Sequence, residues 1–365
     1  MNFLKKYNKQ IKTILFVVLL YVIIAVIDAL GNDIPRVVVS VLKKSCIYAL
    51  LAVSLNLLNG FTGLFSLGQA GFMLLGAYTY AILTLPMAAR ESVYYMYGTV
   101  VNFSLPLILG LICAGIIPAL FAFLIGLPVL KLKSDYLAIA TLGFAEIVRA
   151  LIQWQGFGKV TNGANSILKY PGFKKIMPYA LVAGLCILLI VLLLKSTYGR
   201  AFKAIRDDEI AAEAMGINLA KHKQMSFVIS SFFAGIGGAL LAMYQTSLSA
   251  TAFTSAMTYE ILLMVVIGGI GSVTGSVIAS FLFIACSEWW LRNLDSGTFL
   301  GISLPIFRNG FRLVVFSVVI MIIVLFFRKG IMGERELDVD RIGTFFTKKI
   351  PSMFKKKNKE GDLNK

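Results

Sequence analysis

The sequence predicts an all-α, polytopic helical membrane protein with about 8–10 transmembrane helices, and three observations support this fold class. Of the 365 residues, 58% are hydrophobic and 15% are charged, whereas soluble domains carry about 25% charged residues. Uncharged stretches recur along the chain, and many reach the roughly 20 residues that one crossing needs. The 35 Lys and Arg residues cluster outside these stretches and give a net charge of +17. This distribution follows the positive-inside rule of membrane proteins, so we expect no nucleic-acid partner.

The chain divides into a basic N-terminus, a membrane domain and a basic tail. Residues 1–12 contain four lysines and are expected to be cytoplasmic. Residues 13–27 resemble a signal peptide, but no A-x-A-like cleavage site follows them, so we interpret them as a first, uncleaved helix. The membrane domain covers residues 13–327. Residues 328–365 form a second cytoplasmic segment, whose lysines at 355–357 either contact anionic lipid or are simply solvated.

The remaining apolar stretches predict further crossings. Before residue 195 these are two crossings within 45–89 and one each within 92–130, 136–155 and 176–194. Residues 195–223 hold six Lys and Arg and four Asp and Glu, which predicts a cytoplasmic segment. Later apolar stretches cover 224–259, 261–287 and 313–327. Three simple crossings would leave the tail outside, so one glycine-rich stretch is expected to be re-entrant or broken, or to contain an extra crossing.

Residues 54–82 mix glycine with polar side chains, a composition that a lipid-facing helix does not need. The candidates for a helix break and a translocation pathway here are Asn56, Asn59, Gly60, Gly63, Ser66, Gly68, Gln69 and Gly71. Glycine lets helix backbones approach closely, and Ser, Asn and Gln side chains hydrogen-bond between helices. A helix break is tolerated where its freed backbone groups are buried in protein or face a cavity. The segment is therefore either a discontinuous helix lining a path or a tightly packed helix.

A second glycine-rich segment, residues 260–280, lies in the other half of the chain. Its pathway candidates are Gly268, Gly269 and Gly271, and Gly271-x-x-x-Gly275 has the spacing of a close helix contact. The correspondence with the first segment predicts two pseudo-symmetric halves built around one pathway.

The segment 195–223 contains a predicted short amphipathic helix. Asp207 or Asp208 is a suitable N-cap, and Gly216 is a suitable stop. Between them, the side chains of Ile210, Ala211, Ala214 and Met215 form an apolar stripe. A helix of two turns needs packing to persist, so it either folds back on its own protein or occupies a groove in a partner.

Several functions are excluded by the residues that could carry chemistry. The four cysteines stand singly in apolar stretches without metal-ligand spacing, and the single histidine, His222, is expected to be a solvated loop residue. This excludes zinc sites and histidine-based triads. Gly63-x-x-x-x-Gly68 begins like a P-loop, but Gln69-Ala70 replaces the required Lys-Ser/Thr pair. We therefore expect no enzyme, no ATPase site, no metal and no bound cofactor in this chain.

Charged residues inside predicted spans are costly, at about 2.5–3.5 kcal/mol each on insertion scales. Glu146 and Arg149 are spaced i, i+3 on one helix face and can offset each other. They form either a structural pair or, through Glu146, a contact with substrate. Glu260 begins its span and is expected at an interface.

Four segments in this order resemble the permease subunits of branched-chain amino-acid ABC importers, and the LivM type is the closer match. They are SLNLLNGFTGLFSLGQAGFMLLGAY at 54–78, YLAIATLGFAEIVR at 136–149, STYGRAFKAIRDDEIAAEAMGIN at 196–218, and VVIGGIGSVTGSVIAS at 265–280. The resemblance extends over residues 45–327. It implies the ABC importer permease fold, with pseudo-symmetric halves and a broken helix.

The resemblance also implies partners and site residues. In that family the corresponding cytoplasmic loop contains a coupling helix that fits a groove on an ATPase. The implied ATPase-coupling residues are Arg200, Arg206, Asp207, Glu209, Ala212, Glu213 and Gly216. The implied partners are a second, LivH-type permease subunit, two cytoplasmic ABC ATPase subunits that use the ATP, and an extracytoplasmic substrate-binding protein. The implied location is the bacterial plasma (inner) membrane, with membrane lipid around the chain and both termini cytoplasmic.

The sequence departs from the family pattern and leaves alternatives open. The usual Thr-Gly-Gly of an external loop is Thr161-Asn162-Gly163 here. The resemblance implies import of branched-chain or other hydrophobic amino acids by alternating access, and related permeases for urea, short amides, sugars or nucleosides are the alternatives. An ion-driven secondary transporter is a further alternative, but it usually needs intramembrane carboxylates, and Glu146 is the one deep candidate.

Overall fold

The computed structural model describes residues 18–29, 35–132 and 134–290, and beyond these only residues 298–299, 302–303, 318, 321, 330–333 and 336. Predictions for residues 1–17, for most of 313–327 and for most of the tail, including the lysines at 355–357, lie outside the described residues.

The described chain is almost entirely helical. In chain order, the helices are α1 (Val18–Ala29), α2 (Arg36–Asn56), α3 (Gln69–Thr84), α4 (Met87–Val93), α5 (Leu107–Val129), α6 (Ser134–Gln153), α7 (Gly158–Thr161), α8 (Ile176–Lys195), α9 (Thr197–Asp207), α10 (Glu209–Ala214), α11 (Leu219–Gln245), α12 (Ser255–Gly268) and α13 (Val273–Ala285). Two π-helical turns, Leu57–Phe61 and Cys286–Trp290, extend α2 and α13, and Gln155–Phe157 and Ala250–Ala252 are 3₁₀ turns. Four two-residue strands, β1 (Ile167–Leu168), β2 (Ser247–Leu248), β3 (Thr298–Phe299) and β4 (Ile302–Ser303), form the pairs β1–β2 and β3–β4, both antiparallel.

Several of these helices are candidate membrane spans. Four are long and apolar enough to cross a membrane, namely Arg36–Phe61, α5, α8 and α11. Two more candidate spans consist of helical segments separated by a bend. The bend is 119° between α3 and α4, and 61° between α6 and the turns that follow it. Three shorter apolar helices, α1, α12 and Val273–Glu288, complete the set among the described residues.

Helix α11 forms the centre of the bundle and packs on α2, α3 and α5. Its close contact with α3 depends on glycine, because a Cβ atom on Gly76 would lie 2.2 Å from the carbonyl oxygen of Gly235. The core around α11 is built from buried aliphatic and aromatic side chains of all four helices. Small residues therefore bring the backbones together, as is usual between membrane helices.

Helix α1 is fixed to α8 by two polar side chains. The carboxylate of Asp28 accepts hydrogen bonds from the backbone amides of Ile176 (3.0 Å) and Met177 (3.4 Å) at the start of α8. The hydroxyl of Tyr21 donates to the carbonyl of Ala180 at 3.0 Å. An acidic side chain at a helix N-terminus is stabilised by the helix dipole, so α1 and α8 are held as a pair.

Helix α2 begins nine residues earlier than the uncharged stretch that predicted it, at Arg36 rather than residue 45. The charges that concealed its first turns have partners from distant segments. The ammonium group of Lys43 donates to the carbonyl of Lys174, and Lys44 forms an ion pair with Glu288. Because these partners lie more than 100 residues away, a local pattern could not reveal them.

One end of the bundle is closed by loops that tyrosine side chains hold together. Strands β1 and β2 bring the loop before α8 beside the end of α11. The hydroxyl of Tyr170 donates to the carbonyl of Ala242 at 2.7 Å, and that of Tyr94 donates to Val160 at 2.8 Å. Burial raises the pKa of Tyr94 to about 12, which keeps this hydroxyl protonated as a donor. We call this the loop end, and the end that carries α9 and α10 the coupling end.

Candidate functional site: two helix breaks and a capped helix

The first predicted glycine-rich segment contains an interruption, which we call the first break (residues 57–68). The α-helical hydrogen bonding of α2 changes into the π-helical turn at Leu57, and residues 62–68 have no regular secondary structure before α3 starts. The side chain of Gln69 donates to the hydroxyl of Ser54 at 2.8 Å, so the start of α3 lies beside a turn of α2 well before the break. The chain therefore folds back into the protein between the two helices, and π-turns of this kind are frequent at functional sites.

The backbone groups freed by the first break have partners on neighbouring helices. The amide of Leu67 donates to the hydroxyl of Thr141 on α6, and the amide of Ala70 donates to Thr258 on α12, both at 3.0 Å. These contacts satisfy the requirement that irregular backbone at membrane depth be compensated by protein. They also place α6 and α12 next to the break.

The second predicted glycine-rich segment contains the second break (residues 269–272), which separates α12 from α13. Gly269 and Gly271 have φ angles of +119° and +84°, a region that favours glycine. The predicted close pair Gly271 and Gly275 is replaced by Gly268 and Gly275, since a Cβ atom on Gly268 would lie 2.4 Å from the carbonyl oxygen of Gly275. The reason is that Gly271 lies in the turn and not on a helix face. The interruption predicted from topology is thus present among the described residues.

Asn56 joins the two breaks. Its side-chain amide donates to the carbonyl of Ser272 at 2.9 Å and to the hydroxyl of Ser276 at 2.8 Å. Its side-chain oxygen accepts from the amide of Gly271 at 2.9 Å. Asn56 is fully buried, and Gly60 has no room for a side chain, because a Cβ atom there would lie 2.6 Å from the nitrogen of Gly271. The two halves of the chain therefore meet at this side chain.

Part of the C-terminal segment also packs on the second break. The carboxylate of Glu336 accepts from the amides of Val273 (2.8 Å) and Thr274 (3.0 Å) at the N-terminus of α13. The amide of Ile331 donates to the carbonyl of Ile267 at 2.8 Å. A carboxylate at a helix N-terminus is electrostatically favourable, so residues 330–333 and Glu336 of the predicted tail pack on the second break.

The predicted amphipathic helix is α10, and the sequence signals for its ends are confirmed. The carboxylate of Asp208 accepts from the amides of Ile210 (2.8 Å) and Ala211 (3.1 Å). Gly216 follows the last turn with a φ angle of +84°, the left-handed conformation of a helix stop. On the other side, Lys223 of α11 forms an ion pair with Glu209 at 2.6 Å. These contacts hold α10 against the bundle.

The apolar stripe of α10 faces away from its own protein. Ile210 is 82% exposed and Met215 is 83% exposed, whereas Ala212 is buried. Arg200, Asp207, Glu209, Glu213 and Gly216 are exposed, so these predicted coupling residues are accessible to a partner. Ala212 is not accessible, because it seats α10 on the protein, and Arg206 is half-buried and turned towards the breaks.

The predicted pathway residues are mostly buried between helices. Among them Gly63 is exposed and Asn59 is half-buried, and the others are buried. Asn59 and Ser66 bond to each other within the first break. In this conformation these residues hold the breaks together, and their role in a translocation pathway stays a prediction.

Two further expectations are resolved by the structure. Glu146 and Arg149 form the predicted ion pair on α6. The interpretation of His222 as a solvated loop residue is wrong, because α11 begins at Leu219 and includes it. Its half-buried ring lies 6.2 Å from that of Tyr198 and 6.4 Å from that of Phe202, centroid to centroid.

Thr141, Thr258 and Glu336 also hold the breaks, and no sequence signal indicated them. Threonine inside an apolar helix is a weak signal, because its hydroxyl usually bonds within the same helix. Glu336 lies in a polar segment without a pattern. The partners of these three residues are 62 to 188 residues away in the sequence. No local sequence pattern could therefore indicate their roles.

A bundle of apolar helices with two joined breaks and an exposed, capped helix at one end has the architecture of a membrane transport subunit. The sequence profile of the family described as "Branched-chain amino acid transport system / permease component" matches residues 37–327. The chain therefore belongs to this family of transport-system permease components.

Individual relatives agree with the family. The chain is 34% identical over 289 residues to the high-affinity branched-chain amino acid transport system permease protein LivM of Escherichia coli K12, and this covers 70% of the chain and 64% of the relative. The chain thus spans less than two thirds of that relative's length. It is 25% identical to a probable LivM of Methanocaldococcus jannaschii, over 65% of the chain and 76% of the relative. It is 24% identical to the autoinducer 2 import system permease protein LsrC of Shigella flexneri, over 93% of each. No solved structure matches the chain.

Replacing Asn56 with alanine is expected to destabilise the protein. The substitution removes three short buried hydrogen bonds and a longer one, of 3.5 Å, to the carbonyl of Gly269. The three short bonds are each worth about 0.5–1.5 kcal/mol net, so the loss is roughly 2–4 kcal/mol. Thermal unfolding in detergent, followed by a thiol-reactive dye that reports exposure of Cys46 and Cys186, measures it. Asn59→Ala is the matched control, because that side chain bonds within the first break alone. Equal losses in the two variants would contradict the special role of Asn56.

Proposed function

We propose that this chain is a permease subunit of an ATP-driven ABC importer that moves branched-chain amino acids across a bacterial plasma membrane by alternating access. It works with a second, LivH-type permease, two cytoplasmic ABC ATPases and an extracytoplasmic binding protein. Both termini and the coupling end face the cytoplasm, and membrane lipid surrounds the bundle. ATP is bound by the ATPases, and this chain contributes no cofactor.

The observation that carries this proposal is the exposed apolar side of α10. An isolated helix of this length would not persist in water, yet α10 has a cap, a stop and an ion pair that hold it in place. Its two large apolar side chains remain uncovered. An amphipathic helix presented in this way fits a hydrophobic groove, and the family membership supports an ATPase as the protein that provides the groove.

The surface of the spanning helices supports a second permease as a further partner. Along α5 and α8, the exposed residues are apolar, apart from the terminal Lys195, which suits contact with lipid. Helices α6 and α12, which contact each other, also expose polar and charged side chains. On α6 the side chains of Glu146 and Arg149 are 37% and 32% exposed, and on α12 both Tyr259 and Glu260 are exposed.

We call this surface the α6–α12 face. Charged side chains facing lipid are unfavourable, at about 2.5–3.5 kcal/mol each on insertion scales, whereas a protein partner can hydrogen-bond to them. Gly143 lies on the same side of α6, and a Cβ atom added there would meet nothing within 4 Å. The face also adjoins the first break, through Thr141 and Thr258. We therefore propose that the second permease covers it.

Branched-chain amino acids are the proposed substrate because the LivM relatives are named for their transport. The name of the LsrC relative, autoinducer 2 import, shows that similar permeases serve other small solutes. A urea, amide, sugar or nucleoside importer is therefore the alternative within the same architecture.

Introducing acidic residues on the exposed side of α10 is expected to abolish ATPase binding. Burial of a large apolar side chain is worth about 1.5–3 kcal/mol, so Ile210→Asp with Met215→Asp weakens association at least tenfold, at about 1.4 kcal/mol per factor of ten. Co-purification of ATPases with the tagged chain measures the loss. Val100→Asp, at an exposed apolar residue of the loop end, is the control. Full ATPase recovery with the double variant would refute the docking surface.

Position 147 on α6 is expected to be covered in the assembled transporter and accessible in the chain alone. Ile147→Cys and Leu185→Cys provide a matched pair, because both residues are 59% exposed, on α6 and α8 respectively. In a chain whose four native cysteines are replaced by alanine, labelling by a lipophilic maleimide is measured with and without the second permease. Protection at 147 and not at 185 is predicted. Equal labelling of both positions in the complex would exclude the α6–α12 face as the interface.

Deletion of this chain is expected to abolish uptake of radiolabelled leucine, and its expression from a plasmid restores it. Uptake of urea, ribose and a nucleoside in the same strains provides the comparison. Loss of ribose or nucleoside uptake with unchanged leucine uptake would reject the proposed substrate and leave the permease assignment intact.

A further inference from the structure

The side chain of Arg206, at the end of α9, contacts both breaks. Its Nη1 donates to the carbonyl of Gly60 at 3.3 Å. A Cβ atom on Gly271 in the second break would lie 2.9 Å from the same nitrogen, and one on Gly63 would lie 3.1 Å from Cγ of Arg206. Glycine at these two positions therefore leaves the space that the arginine side chain occupies.

Asp207 fixes the orientation of the Arg206 guanidinium group. Its Oδ1 accepts from Nε at 3.0 Å and from Nη2 at 2.9 Å. These two bonds use one edge of the planar guanidinium group and direct the remaining nitrogen to Gly60. A charge-assisted contact of this kind restricts the side chain more than a single hydrogen bond does. The next residue, Asp208, is the N-cap of α10, so the cap and the arginine are neighbours in the chain.

Lys203 provides a second contact between α9 and the first break. Its ammonium group lies 5.6 Å from the centre of the Phe61 ring, a distance suitable for a cation–π interaction. Lys203 and Arg206 are spaced i, i+3 and therefore lie on one face of α9. Two basic side chains thus hold the π-helical turn from the cytoplasmic side, at Gly60 and Phe61.

These contacts form a continuous connection from α10 to both breaks. The cap of α10 is adjacent to Asp207 and Arg206, Arg206 binds the first break, and Asn56, the residue directly before that break, bonds to the second break. Coupling between distant sites can be carried by such a chain of contacts to an element with two arrangements. The breaks, which interrupt regular helix, are the elements here that can rearrange without unwinding a span.

We infer that Arg206 is a positioning residue that transmits displacement of α10 to the two helix breaks, and that it is not itself a docking contact for the ATPase. The inference rests on the proposed function, because it requires an ATPase to move α10. Motion that nucleotide drives in the ATPases then reaches the pathway through the guanidinium group of Arg206, which Asp207 holds.

The test uses the complete transporter, reconstituted in proteoliposomes with both permeases, both ATPases and the binding protein. Import of radiolabelled leucine and release of inorganic phosphate are measured together, and their ratio gives the ATP consumed per substrate. For Arg206→Ala we expect import to fall about tenfold with normal assembly and basal hydrolysis, so that ATP consumed per substrate rises about tenfold. Arg206→Lys retains the charge and is expected to recover part of the import. Lys221→Ala, an exposed basic residue at the same end, is the control.

Each result decides the inference. An unchanged ratio in Arg206→Ala would overturn it. Loss of ATPase co-purification in both Arg206→Ala and Arg206→Lys would also overturn it, because Arg206 would then be a docking or folding residue. Failure of the proposed function is distinguishable, since it would appear in the unmodified complex as import without ATPases or as no ATP-dependent import.

Discussion

The hydrogen bonds of Asn56 are the constraint on which the arrangement of the site depends. A buried amide in an apolar bundle is unfavourable unless its donors and acceptor are satisfied. Here they are satisfied by the backbone and a hydroxyl of a segment more than 200 residues away. That requirement fixes where α12 and α13 separate relative to the end of α2. Gly60 is then needed because the two backbones approach each other there, and Gly269 and Gly271 are needed because the turn gives them positive φ angles.

Much of this fold could be predicted from the sequence, because its signals are local. Apolar stretches of sufficient length gave α5 and α8, and a capping aspartate with a following glycine gave both ends of α10. Glycines mixed with polar residues indicated both breaks, and topology required an irregular segment in the second half. The Glu146 and Arg149 pair followed from helical spacing.

The remaining features depend on contacts between distant residues. The beginning of α2 was concealed by Lys43 and Lys44, whose partners come from the loop before α8 and from the π-turn after α13. The direction of Arg206 could not be predicted, since an arginine at the end of an amphipathic helix usually points to solvent. The family resemblance predicted Ala212 and Arg206 as coupling residues together with the exposed ones. The packing of α9 and α10 instead buries Ala212 and directs Arg206 to Gly60. Which break residues line a pathway depends on a second conformation, so the local pattern does not determine it.

The proposed role of Arg206 requires α10 and the two breaks to move as one unit. The most direct measurement is the distance between spin labels in the assembled transporter, with and without ATP. One label replaces Met215, the residue that follows α10, and the other replaces Ile270, an exposed residue of the second break. The account predicts an unchanged distance for this pair, while the distance from position 215 to position 100 at the loop end shifts. A shift between positions 215 and 270 of the same size would contradict it.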